Sequence, residues 1–349
     1  MLQLPKPTLA GGQPTIVSVP ASPVLKGYVE QLLKRAAHLP RDPREDNMLK
    51  ITSDGRKAAL DIRMVTSASE PEQTKAKEVV MRVAQLWRDT AEQKATQLVF
   101  LDIGTPQAPT AQETDSSKDE HAEAARTLEG MMEGDDALRG SVYADLRQKM
   151  ITAGIPAPEI AFIHDANTDA KRIALFQNMR AGNVRVLVGS TARMGEGMNV
   201  QDRLIALHHM DAPWRPSDIA QREGRILRQG NQHPEVQIYR YVTEGSFDAY
   251  MWQTLERKQR AFGQVMDGTA STRTMEDLGD ARLNNFAEAT AAASGNPLVL
   301  EKHQIEMVAT STGLTDAERA SGRLDHDDGT HWDCVFRLGR SRSKRMKVR

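Results

Sequence analysis

A single cysteine, Cys334, stands in a chain of 349 residues. One thiol excludes an intramolecular disulfide framework and any multi-cysteine zinc site, and the expected compartment is the cytosol. Aromatic residues are scarce at 5%, against 39% hydrophobic and 27% charged residues overall. An ordinary core can be filled from that supply, but with few large packing side chains, so part of the chain is expected to be loose. No apolar run approaches the ~18–20 residues that cross a bilayer, and MLQLPKPTLAGGQPT is not a signal peptide, so no membrane partner is expected. Charge of one sign is also missing: 46 Lys and Arg balance 47 Asp and Glu. A nucleic-acid partner therefore has to be read from local patches. The length suits two domains, or one domain with sizeable flanks, at roughly 100–200 residues each.

The start of the chain carries Pro5, Pro7, Pro14, Pro20, Pro23, Pro40 and Pro43. That density argues against long regular elements, although residues 27–39 suit a short helix. In LKITSDGRKAALDIRMV (49–65), Ser53-Asp54-Gly55 reads as a turn. Val79, Val80, Val83, Leu86 and Trp87 recur at helical spacing within 74–93 and predict an amphipathic helix. LVFLDI (98–103) then suits a buried strand. Residues 105–140, with nine acidic and three basic side chains, read as an exposed insertion.

From Ser141 onward helices and strands alternate. Helices are expected at 143–154, 168–182, 217–228 and 246–262, with strands at 160–164, 184–190, 204–210 and 236–242. Such alternation argues for βαβ units around a mainly parallel sheet. The expected organisation is a Pro-rich start plus helical flank over 1–94, an α/β domain over 95–265 with the insertion 105–140, a helical extension over 266–310 and an irregular basic tail over 311–349. Seven of the last thirteen residues are Lys or Arg.

Open parallel sheets place ligands at the C-terminal ends of their strands, and three segments there are unusual. Thr191-Ala192-Arg193-Met194-Gly195-Glu196-Gly197-Met198-Asn199 follows one strand, with two glycines whose small size admits a phosphate close to backbone N–H groups. Asp211-Ala212-Pro213-Trp214-Arg215-Pro216-Ser217 follows the next, with Trp214 expected to pack and lock the loop and Ser217 to cap the next helix. Gln221, Gly224, Arg225 and Arg228 are then expected on one helix, the arginines sharing a face. Adjacent guanidiniums repel unless they meet an anion, and their planar forks suit phosphate oxygens. A solvated charged face would explain the arginines but not Gly224, which costs a helix about 1 kcal/mol relative to alanine.

These residues resemble motifs of superfamily 2, Swi/Snf-type helicase-like ATPases. Thr191-x-x-x-Gly195-x-Gly197-x-Asn199 is similar to motif V, Gln221-x-x-Gly224-Arg225-x-x-Arg228 to motif VI, and LVFLDIG (98–104) to motif IV. The resemblance covers roughly 47–305 and is nearest to helicase regions of phage- and plasmid-borne proteins that also carry an adenine-specific DNA methyltransferase. It implies the C-terminal RecA-like lobe, a parallel sheet flanked by helices with helical or loose N- and C-terminal extensions. By the resemblance, Arg225 and Arg228 reach the γ-phosphate of ATP, with Arg228 as the finger, and Gln221 couples the nucleotide to lobe closure. Gly195, Gly197, Asn199 and Gly224 line the nucleotide side, the first three linking it to the DNA backbone, and Thr191 and Arg193 face nucleic acid. Where the family continues Ile-Gly-Gln after the last arginine, this chain has Gln229-Gly230-Asn231.

The implied cofactor is ATP with magnesium, held only if another lobe supplies the Gly-x-x-x-x-Gly-Lys loop, because the sequence contains no Gly-Lys dipeptide. The implied partners are DNA, in duplex form, an N-terminal RecA-like lobe in cis or in trans, and a DNA methyltransferase. Alone, the chain is expected to be inactive. The alternative is a non-catalytic DNA-binding or assembly module derived from the same lobe. Asp119-Glu120-His121-Ala122 sits in the acidic insertion rather than at a strand end, and His326, His331 and Cys334 fit no common metal spacing, so neither is read as a metal site.

Overall fold

The computed structural model describes residues 6–40, 42, 44–105, 136–194 and 198–266, all within the compact unit Met1–Pro297. Most of the acidic insertion, the expected extension beyond 266 and the basic tail lie outside the described residues, as do Gly195 and Gly197. Among the described residues seven strands make one sheet: β1 (Thr8–Leu9), β2 (Thr15–Val19), β3 (Thr96–Phe100), β4 (Ile160–Phe162), β5 (Val186–Gly189), β6 (Leu204–His209) and β7 (Glu235–Thr243). Their order is β1-β7-β6-β3-β5-β4, with β2 also on β7, and every pairing is parallel. The connecting helices are α1 (Pro23–Ala37), α2 (Met48–Leu60), α3 (Lys75–Asp89), α4 (Asp136–Thr152), α5 (Asp169–Ala181), α6 (Pro216–Glu223) and α7 (Phe247–Met266). This is the expected α/β, RecA-like arrangement.

Strand side chains alternate between faces, so β3 feeds two cores. Val99, and Leu101 just beyond the strand, join Val79 and Val83 of α3 and Leu146 and Met150 of α4. Leu98 and Phe100 join Phe176 and Met179 of α5. A polar thread crosses this interior: Gln97 Nε2 donates to Val83 O at 2.9 Å, and its Oε1 lies 3.1 Å from His208 Nε2. An amide oxygen only accepts, so His208 carries its proton on Nε2 and its Nδ1 accepts from the Tyr241 hydroxyl at 2.9 Å.

Several boundaries differ from the sequence expectation. The proline-rich start is more regular than its composition suggests, because its prolines punctuate elements instead of interrupting them. Pro14 and Pro20 flank β2, an edge strand where a missing N–H is tolerated, and Pro23 occupies the first turn of α1 behind the cap Ser22. Ser53-Asp54-Gly55 is no turn: α2 runs through it, capped by Asn47, whose Oδ1 accepts from Lys50 N at 2.9 Å. Gly55 is there because the Phe247 ring lies against it; a Cβ would fall 2.5 Å from a ring carbon. The helix expected from 143 begins at Asp136. In α5 the expected ends hold, with Thr168 as cap and Gly182 in the left-handed region at φ 75°.

His208 and His209 are fully buried in the sheet. Burial first, with the nearby charge of Arg82, pulls the His208 pKa down to about 3, and burial pulls His209 to about 4 against the opposing influence of Glu223. In an unfolded chain both titrate near 6.5, so below that pH the unfolded state binds more protons. Stability, full above about pH 6.5, should therefore fall toward pH 4 by about 1.4 kcal/mol per pH unit for each histidine. Urea denaturation of the chain and of His208→Gln across this range should show a shallower fall in the variant. Equal slopes would contradict a neutral, buried His208.

Candidate nucleotide and DNA site of the lobe

Three strands end side by side at the same edge of the sheet, and the second residue after each carries a polar group. Asp102 follows β3 closely, Thr191 follows β5 and Asp211 follows β6. They converge on Arg222 of α6, which is entirely buried. Its Nε donates to Thr191 Oγ1 at 2.7 Å, Nη1 to His209 Nδ1 at 3.2 Å and to Asp211 O at 3.1 Å, and Nη2 to Asp102 Oδ2 at 2.6 Å and Asp211 Oδ1 at 3.2 Å. All five guanidinium donors are thus taken. Asp102 in turn accepts from the Thr191 N–H at 2.6 Å and its hydroxyl at 2.8 Å, and Asp211 accepts from the N–H groups of Asp102 and Ile103 at 2.6 and 2.9 Å.

The electrostatics follow from burial and pairing. Burial opposes the Asp102 charge, but Arg222 and the Thr191 donors prevail and hold its carboxyl below the usual range. Asp211 is displaced upward by its own burial and by Asp102 beside it. Burial works against the Arg222 charge too, and the two carboxylates outweigh it. A second guanidinium completes the balance: Arg56 of α2, 8% exposed, donates to Ala212 O at 2.7 Å, with Asp211 and Asp102 as the nearest opposing charges.

Arg56 also supports the loop above it. Its guanidinium lies 4.0 Å from the centre of the Trp214 ring, which is 47% exposed. Trp214, expected to pack and lock the loop, does so by stacking on a cation at the surface. The expected cap Ser217 is displaced. Arg215 is the capping position, with its N–H on Asp218 Oδ2 at 3.3 Å and Pro216 in the first turn.

The motif VI residues are arranged differently from the single helix expected at 217–228. α6 stops at Glu223, and Gly224 ends it in a helical conformation with its N–H on Ala220 O at 2.8 Å. A Cβ on Gly224 would fall 2.9 Å from Ala220 O. Gln221 is exposed on the last turn of the helix, whereas Arg225 and Arg228 lie in the turns beyond it, the first half-buried and the second exposed. Burial, then the neighbouring Arg228 charge, lowers the proton affinity of Arg225. Arg228 Nη1 donates to Asn199 Oδ1 at 2.8 Å, so motifs V and VI touch through that bond. Arg193 is exposed on the single turn Thr191–Met194. Thr191, expected to face nucleic acid, instead has its hydroxyl committed inward to Asp102 and Arg222.

Arg222, Asp102, Asp211 and Arg56 were not singled out from the sequence. One signal was present: Ile219, Arg222 and Ile226 are all fully buried and lie three and four residues apart, so the arginine sits on the apolar stripe. Arg222→Ala should leave the buried Asp211 and the partly exposed Asp102 short of a partner and reduce the unfolding free energy by about 3–5 kcal/mol. Arg222→Lys should not restore it, having three donors for five acceptors. Denaturation midpoints of both variants test this, and a loss as small as that of an exposed ion pair would refute it.

Residues 141–230 match the helicase conserved C-terminal domain. The chain is 31% identical over 125 residues to Defense against restriction protein B of Escherichia phage P1, which is 36% of this chain and 6% of that protein. It is 33% identical over 111 residues to the uncharacterized ATP-dependent helicase YqhH of Bacillus subtilis (strain 168), which is 31% of this chain and 18% of that one. The matched regions are thus a minor part of either relative. Among solved structures, the Sulfolobus solfataricus SWI2/SNF2 ATPase core in complex with dsDNA aligns at 13% identity over 73% of this chain and 46% of that one, with a TM-score of 0.45. The match over 141–230 lies on a parallel sheet whose motif V and motif VI segments meet at Asn199 and Arg228, and the chain thus carries a helicase conserved C-terminal domain.

Proposed function

We propose that the chain is the C-terminal half of a DNA-dependent ATPase that translocates on duplex DNA, supplying Arg225 and Arg228 to ATP and magnesium held mainly by an N-terminal lobe. The observation that carries this reading is the turn after α6. It presents two neighbouring guanidiniums, one exposed and bonded to the motif V residue Asn199. An arginine so placed stabilises the charge that develops on the transferred phosphoryl group, an effect worth roughly 10³–10⁵ in rate. Gln221, one turn before Arg225, links the nucleotide to lobe closure, and Gly195, Gly197 and Gly224 leave room for the phosphates.

Exposed Arg193, with Arg215 at the head of α6, supplies DNA-backbone contacts, and binding of that kind weakens with salt. The missing Gly-x-x-x-x-Gly-Lys loop comes from the first lobe, in cis in a longer protein or in trans, and a DNA methyltransferase belongs to the same assembly. Tracking along a duplex, without strand separation, rests on the Swi/Snf likeness.

The test is ATP hydrolysis by the purified chain, with and without duplex DNA, beside Arg228→Ala. The expected result is no hydrolysis in either, with the two proteins equally stable, and DNA-stimulated hydrolysis in the native chain alone once a first lobe is supplied. Hydrolysis by the chain without that lobe would overturn the half-site reading. Hydrolysis retained by Arg228→Ala in the completed site would overturn the finger assignment. Salt-sensitive DNA binding with no hydrolysis under any condition would favour a binding module.

A further inference from the structure

Four arginines of this lobe are each held by a pair of carboxylates. Arg35 is held by Asp46 and Asp54, Arg63 by Asp61 and Asp145, Arg240 by Glu223 and Glu256, and Arg222 by Asp102 and Asp211. In each, carboxylates both orient the guanidinium and cancel its charge. Arg228 and Arg180 are oriented differently. Arg228 Nη1 donates to the side-chain oxygen of Asn199 at 2.8 Å, and Arg180 Nη1, from the last turn of α5, donates to the main-chain oxygen of the same residue at 2.9 Å. Among the described residues neither has a carboxylate within 4.0 Å. Arg203 braces this corner from below, donating to Arg180 O at 3.0 Å and Gln93 O at 2.8 Å.

A neutral acceptor fixes the direction of a guanidinium and leaves its charge undiminished. Holding two such groups on one residue costs mutual repulsion, which an anion between them would relieve. Exposure then decides which arginines are left for a ligand: Arg185, 4% exposed, is held by Ala95 O, Trp87 O and Thr90 Oγ1 and serves the fold, whereas Arg228 is exposed and Arg180 half-buried, with charge to offer an anion.

We propose that Asn199 is the positioning residue of the lobe's anion site, orienting Arg228 and Arg180 together with neutral oxygens so that both charges meet the terminal phosphates of a nucleoside triphosphate. Arg180 thereby becomes a phosphate-binding residue alongside the motif VI arginines. The identity of the anion rests on the function proposed above; the shared orientation of the two arginines does not.

The sharpest test is Asn199→Asp, which is isosteric and keeps an acceptor for Arg228 but adds the charge that cancels it. The probe is inorganic triphosphate, titrated calorimetrically into the full chain at fixed ionic strength, with thermal melting as a parallel readout. Saturable binding is expected in the native chain. Asn199→Asp should weaken it by about tenfold or more with the melting temperature unchanged or raised, and Arg180→Gln should weaken it several-fold. A merely structural Asn199 would leave affinity unmoved in the aspartate variant. Equal affinity in Asn199→Asp, or no saturable binding by the native chain, would overturn the proposal. Should Asn199→Asp fail to fold, Arg180→Gln decides, and unchanged affinity there is equally fatal. Triphosphate binding with these dependences in a protein that never hydrolyses ATP would reject the motor and leave the anion site standing.

Discussion

A guanidinium sealed from water is tolerable only if every donor finds an acceptor and the charge is matched, and Arg222 meets both conditions. Its five N–H groups end on Thr191, His209, Asp211 and Asp102. Those residues close β3, begin the loop after β5 and end β6, so one side chain of α6 ties together the three strand ends that carry the motifs. The loop of motif V and the helix leading to Arg225 and Arg228 therefore cannot shift independently. A displacement of either would break several charge-assisted hydrogen bonds in a medium where an unmatched ion is costly. The cluster is thus a rigid link between the strand ends and the turn that carries the motif VI arginines. Thr191, turned inward, belongs to the link.

The charge balance of that cluster reaches outside the segment where strands and helices alternate. Arg56, its second cation, lies on α2 in the first hundred residues, and α2 is seated on α7 by the contact of Gly55 with Phe247. Lys75 of α3, 1% exposed, pairs with Asp248 of α7 at 2.5 Å, and the same carboxylate accepts from Thr243 N at 2.9 Å. β2 lies on β7 in continuous register from Thr15–Tyr239 to Val19–Thr243. Each of these contacts joins the start of the chain to its β7–α7 end. The flank is thus part of the sheet and of the site's support.

What could be read from residues alone follows from which interactions are local. β3, β5, β6 and β7 were legible because strands buried on both faces read as apolar runs, and α3 and α5 because their apolar spacing or caps are local signals. β1 and β2 were not, since a two-residue strand and an alternating edge strand between prolines carry little signal until β7 supplies the pairing. Gly55 was misread as a turn because its reason, the Phe247 ring, is almost two hundred residues away. In the site, Arg225 and Arg228 were found because motif spacing marks them. Arg222, three residues before them, was passed over because an arginine beside Gln221 reads as solvated until its neighbours Ile219 and Ile226 prove buried.

The near-neutral composition conceals how the charge is divided. With 46 cations against 47 anions, the sum predicts no attraction for phosphate. The cations are, however, unequal. Those at Arg35, Arg63, Arg222 and Arg240 are cancelled on the spot by carboxylates and contribute little to the field outside. Those at Arg180 and Arg228 are aimed by uncharged oxygens and keep their field. Arg225 lies beside that charge: burial first, and then Arg228, lowers its proton affinity. Because a field of several like charges is strongest where the charges are fixed and unpaired, anion affinity in this lobe should concentrate at Asn199, whatever the net charge of the chain. A protein can therefore be balanced overall and still carry a local site for a polyanion, provided that some exposed arginines are oriented by neutral oxygens while others take the acids.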